Sequence, residues 1–222
     1  LSQDSHDLLL SWAEDALENF VKSVTLLFVL LNPFLMSIYL IHLIQKLDLT
    51  TFTRVLTQGA SISLLVFVVF ACLGDAIFTD ILQVRFASFL IFGGVVFLII
   101  GVRFVFGGSE ALGELRGISS NPAGAIAMPY TIGPGTVGAS VLAGSRLTPA
   151  LASLAILVAL SLTVVALVAF KWIHDYVKQR NEKLIEHYID VVGRATALVI
   201  GTFAIEMVLQ GIDIWLAGTF PR

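Results

Sequence analysis

The chain has 222 residues, 57% of them hydrophobic and only 13% charged, with a net charge of −3. A soluble domain is nearer 45–50% apolar and about 25% charged, so this composition excludes an ordinary soluble domain and points to an integral membrane protein. No basic field speaks for nucleic acid, and the single cysteine, Cys72, excludes an intrachain disulfide, a CxxC pair and a thiolate-rich metal site.

Residues 1–19 carry Asp4, Asp7, Glu14, Asp15 and Glu18, with Leu8, Leu9, Trp12, Ala16 and Leu17 near helical spacing. They read as an amphipathic surface segment with Trp12 near the headgroups. The N-terminus lacks a basic n-region, so no signal peptide is read there. Apolar stretches follow at about 20–43, 57–78, 86–106, 123–143, 148–170 and 195–216, each near the ~20 residues that cross a bilayer core. The expected fold is all-α integral membrane, with six transmembrane helices. Cys72 falls in an apolar run and reads as a packed thiol. Residues 107–122, rich in Gly and Ser, read as a cytoplasmic loop between a first repeat (20–106) and a second (123–217). The stretch from Lys171 to Asp190 is too charged to cross and reads as a solvated cytoplasmic helix.

Two of these spans are interrupted. The first has Asn32-Pro33 near its middle. The fourth, AMPYTIGPGTVGASVLA from Ala127 to Ala143, holds Pro129, Pro134, Gly133, Gly135 and Gly138 beside Thr131 and Thr136. Proline removes a backbone donor and clashes with the preceding turn. Lipid offers no partner for the groups so exposed, so the interruptions must face protein or water. Asn32 suits an N-cap, with Pro33 in the first helical position, and Gly133-Pro134-Gly135 suits a second restart. Two helix N-termini facing one cavity bring free N–H groups and partial positive charge to it, a site for the carboxylate of a small solute. The candidate binding residues are Asn32, Pro33, Thr131, Gly133, Pro134, Gly135 and Thr136.

The interruptions also suggest an internal duplication, since the sequence of the third span aligns with that of the sixth, Gly107 matching Gly211. Three spans per half would make the repeats inverted, an arrangement with broken helices that transporters use. With both termini outside, nine of the 13 Lys and Arg residues fall on the inner side, in line with the positive-inside rule.

These residues resemble a known family. Pro129, Gly133, Pro134 and Gly135 are similar to the P-x-x-x-G-P-G run in the fourth span of the MarC/SnatA family of six-span membrane proteins. Asn32-Pro33 resembles the D/N-P of its first span, Gly93-Gly94 its third-span G-G, and Arg194–Gly211 its last span. The sequence departs from the family pattern at Leu35–Ile38, where G-N-x-P is common, at Ala125 in place of a proline, and at Glu206 in place of a glutamine. The resemblance implies an inner-membrane transporter of small neutral amino acids such as glycine and alanine, driven by a proton or sodium gradient and working by alternating access.

Glu206 lies near the centre of the sixth span, where an ionisable group costs about 2.5–3.5 kcal/mol on insertion scales. It is the candidate coupling residue, carrying a proton or pairing with a substrate ammonium group. The alternative is a structural hydrogen bond to a neighbouring helix. Thr57, Ser61, Ser63, Ser161 and Thr163 read as helix–helix hydrogen bonds. Asp75, Arg103, Asp213, Trp215 and His42 read as interfacial, and His174 and His187 as part of the charged stretch. No His/Asp/Glu cluster has metal-ligand spacing, and neither a catalytic role nor a cofactor is expected. The rivals are a channel, an intramembrane enzyme and a chaperone-like membrane protein. An oligomer is compatible with the sequence.

Overall fold

A computed structural model describes residues 3–74, 76–81, 83–107, 131–178 and 182–219. Every regular element among them is helical: α1 (Gln3–Leu31), α2 (Pro33–Tyr39), α3 (Ile41–Lys46), α4 (Leu49–Leu73), a π-helical turn (Ile77–Ile81), α5 (Phe86–Gly107), α6 (Pro134–Arg146), α7 (Pro149–Lys178) and α8 (Glu182–Thr219). Four stretches among the described residues are long and apolar enough to cross a membrane: Leu49–Leu73, Phe86–Arg103, Pro149–Val177 and Ala197–Ala217. The other two expected spans, about 20–43 and 123–143, contain the interruptions. The structure divides the first at Asn32, and the described part of the second begins at Thr131. The loop read over 107–122 lies, apart from Gly107, outside the described residues, as do Pro129 and Asp75.

Several expectations need correction. Gln3–Leu31 is one continuous helix of 29 residues, without a boundary between a surface segment and a span. Cys72 is exposed rather than packed. Thr57, Ser61, Ser63 and Thr163 do not bridge helices. Each donates to the carbonyl four residues earlier in its own helix, at 2.7–3.1 Å, the local partner that a hydroxyl finds most cheaply in an apolar helix. The charged stretch from Lys171 begins as the end of α7. Lys171 is only 3% exposed and pairs with Asp175 at 2.7 Å, because it falls one turn after Leu167 on the stripe Leu160, Thr163, Leu167 that α7 buries. His174 continues that stripe, with Nδ1 3.3 Å from Asp175 Oδ1.

Lipid tails are as apolar as leucine, so burial from water does not drive these helices together within the bilayer. Close van der Waals packing does, and small residues permit it. Ala152, Ala155 and Ala159 of α7 are fully buried in a core with Leu27 and Leu31 of α1, Phe67 of α4 and Val137 of α6. A second cluster joins Met36, Leu40 and Ile44 to Phe52, Leu56 and Leu167. Gly144 of α6 lies directly against the Ala71 carbonyl of α4, where no Cβ fits. Helices α5 and α8 form the most extensive pair. Gly211 faces Ala87 and Ile91, Gly94 faces Ala204 and Val208, and Gly101 faces Ala197 and Gly201, a sequence of contacts that makes the two helices antiparallel.

Candidate functional site

The first interruption is a kink at one residue. Asn32 takes a left-handed φ of 40°, a region that asparagine tolerates better than most side chains. Its N–H still donates to the Phe28 carbonyl at 3.1 Å, and its carbonyl already accepts from Met36 at 3.0 Å. Asn32 thus closes α1 and opens α2, and Pro33, which has no N–H to lose, occupies the first helical position.

The second interruption is built around Thr136. Gly133 is extended, at φ −124° and ψ 167°, and caps α6 with Pro134 behind it. Gly133 has no side chain to bond the first turn, so the cap is one-sided. The Thr136 hydroxyl accepts from the Gly133 N–H at 3.0 Å. Its single proton serves the carbonyls of Thr131 and Gly133, at 2.8 and 2.9 Å. The Gly133 carbonyl also accepts from Val137 N–H at 2.9 Å. Pro134 has no donor, so Gly135 and Thr136 carry the first-turn amides that no earlier helical turn can satisfy.

The two interruptions meet. One cavity of about 70 Å³ is lined by Asn32 and Met36 from the first, by Thr131, Gly133, Gly135 and Thr136 from the second, and by Phe97, Ile200, Phe203, Ala204 and Met207 from α5 and α8. At ~10–15 Å³ of such space per water, it holds about five waters or one solute of a few heavy atoms. Its polar side is hydroxyl, amide and backbone; its other side is apolar. No ionisable side chain among the described residues lines it. An anionic group here would meet backbone N–H groups and the positive end of the α6 dipole rather than a cation.

Five of the expected binding residues, Asn32, Thr131, Gly133, Gly135 and Thr136, line this space. Pro33 and Pro134 do not. They shape the backbone behind it, and the Pro134 ring packs where a Cβ on Gly93 would otherwise stand. Glu206, the candidate coupling residue, does not line the cavity. On α8, Ala204 and Met207 face inward, whereas Glu206 is exposed and lines a separate groove between α5 and α8. Its carboxylate accepts from Gln210 Nε2 at 2.9 Å. The apolar wall escaped sequence reasoning, since Phe97 and Met207 look like any other residues of an apolar span. The pair Gly93-Gly94 was the available signal, because it draws α5 against Pro134 and α8 and carries Phe97, one turn on, to the cavity.

The model for MarC family integral membrane proteins matches residues 17–216. The chain belongs to the MarC family. The match spans both interruptions and all the residues around the cavity, so the cavity is a feature of the family's membrane domain in this chain. No curated protein and no solved structure matches. Together with the four apolar helices, membership makes this a multi-pass membrane protein.

Proposed function

We propose that this MarC family protein is a carrier for small neutral amino acids or similar zwitterions, binding them at the cavity between its two interrupted helices. The observation that carries this reading is the shared lining: residues from both breaks line one cavity of about 70 Å³. The substrate carboxylate would approach the Gly135 and Thr136 amides, with Asn32 opposite. The oxygens of the Thr131 carbonyl and the Thr136 hydroxyl, on the same wall, suit an ammonium group or a desolvated cation. The cavity's size favours glycine- or alanine-sized solutes, and its Met and Phe wall suits a short apolar side chain.

The same reading includes six spans in two inverted repeats within the inner membrane, both termini outside. Its support is the exchange of partners between halves. Helices α2 and α3 pack on α7 while α4 packs on α6; α4 also packs on α7, and α5 on α8. Swapping α2 and α3 for α6, α4 for α7 and α5 for α8 leaves that set unchanged, as a twofold axis in the membrane plane requires. Gradient coupling fits a cation held by hydroxyl and carbonyl oxygens better than a proton on Glu206, because Glu206 stands outside the cavity and no described lining side chain is ionisable.

Thermal stabilisation of the purified protein by a panel of amino acids, at pH 5.5 and pH 7.5, tests this reading. Glycine and alanine should raise Tm saturably at both pH values, while leucine, arginine and glutamate should not. Stabilisation by the large or charged members alone, or by none, would refute it.

A further inference from the structure

The groove that holds Glu206 lies on the outer surface of the bundle. It is an open depression of about 520 Å³, walled by Leu98, Val102 and Phe106 of α5 and by Leu198, Ile205 and Glu206 of α8. Its floor is Gly101 and Gly201, and beyond Gly201 a Cβ would meet nothing within 4 Å. Along the same exposed stripe of α8 run Thr202, Glu206 and Gln210. Thr202 is satisfied by the Leu198 carbonyl at 2.9 Å. Glu206 and Gln210 share one bond of 2.9 Å, which leaves a carboxyl oxygen, an amide hydrogen and the amide oxygen still to be met.

These groups stand inside the apolar stretch Ala197–Ala217. A lipid tail fills a groove but offers no hydrogen bond, and ionisable groups within membrane helices accordingly face protein or water. A second copy of the chain supplies polar groups at the matching depth. Copies inserted with the same orientation are related by a twofold axis along the membrane normal, and such an axis sets each residue against others at its own level. Near such an axis, the spare amide hydrogen of Gln210 in one copy would face the spare carboxyl oxygen of Glu206 in the other, and the reverse. The depression at Gly201 lets the two α8 helices approach closely.

We propose that the chain forms a parallel homodimer through the α5–α8 face, with Glu206 and Gln210 paired reciprocally across the axis. This interface is separate from the cavity, so it stands or falls independently of the transport reading. The test is disulfide cross-linking in membranes and in liposomes of purified protein, in a Cys72→Ser background. Thr202→Cys and Leu209→Cys, flanking Glu206 on the exposed stripe, should each give a covalent dimer. Leu65→Cys, on the exposed face of α4 and 67% accessible, should not. Double substitution Glu206→Leu/Gln210→Leu should weaken dimerisation about tenfold, measured by photobleaching-step counting against lipid dilution, given the ~0.6 kcal/mol typical of each interhelical hydrogen bond in membranes. Glu206→Gln, which keeps the hydrogen bonds, should retain the dimer. Cross-linking no greater at 202 and 209 than at 65, monomers at every dilution, or cross-linking in membranes only to a protein of another mass would overturn the proposal.

Discussion

At the scale of single residues, Thr136 holds the second interruption in shape. One hydroxyl takes the Gly133 N–H and returns its proton to the carbonyls at Thr131 and Gly133. Thr136→Val keeps the volume but leaves those buried groups unmet, which should cost about 1–3 kcal/mol, read as a lowered Tm, and should abolish stabilisation by glycine. Gly135→Ala separates binding from folding. Its new Cβ would sit 3.7 Å from Leu30 Cδ2 and Met207 Sδ, an ordinary contact, so Tm without ligand should stay close to wild type while the filled cavity loses its response to ligand. Asp48, outside the spans, accepts from the Thr51 N–H at 3.1 Å at the start of α4. Bonds from the Thr51 side chain and amide hold its carboxyl below the usual 3.8. The native state therefore favours ionised Asp48 more than the unfolded chain does. Its contribution is complete above the unfolded pKa and is lost as pH falls through the lower native value. Asp48→Asn should flatten the acid limb of a Tm-against-pH curve slightly and leave neutral pH little changed.

At the scale of elements, the breaks were legible because proline and glycine carry them in the sequence. Asn32-Pro33 and Gly133-Pro134-Gly135 are the only chemistry that could interrupt otherwise apolar spans at those points, and both chain breaks fall where those residues stand. What the sequence left open was rotation about each helix axis. Glu206 was legible as an intramembrane carboxylate, but its neighbours Ala204 and Met207 point inward and it does not. Without a clear apolar–polar alternation on α8, nothing local sets that angle; the packing of Gly94 and Gly101 of α5 against α8 does. The buried Lys171 was misread for the opposite reason, since its charge spoke for solvent while its register on α7 spoke for the interior. Glycine at close crossings gives a direct check. Gly144→Ala would drive a methyl into the Ala71 backbone carbonyl, a rigid neighbour, and should lower stability by about 1–3 kcal/mol or more. Gly201→Ala meets open space and should leave the monomer's fold intact.

At the scale of the whole molecule, the two breaks come from opposite halves of the chain and yet share one pocket, with α4, α5, α7 and α8 as longer rods around them. The ends of α4 and α6 lie at one level, through Ala71 and Gly144, as they must if both helices run toward the same face. Trp172 and Tyr176 stack at the end of α7, with ring centroids 6.1 Å apart and both exposed, the aromatic pairing that marks a membrane–water boundary. Below that boundary no charged side chain among the described residues lines the cavity, whose polar groups are helix ends, hydroxyls and the Asn32 amide. The most direct test is counterflow of radiolabelled glycine in liposomes loaded with unlabelled glycine, comparing wild type with Gly135→Ala. Wild type should accumulate label transiently and saturably and Gly135→Ala should not. Equal uptake by both, or none by a wild type that binds no amino acid, would contradict a shared site between the broken helices.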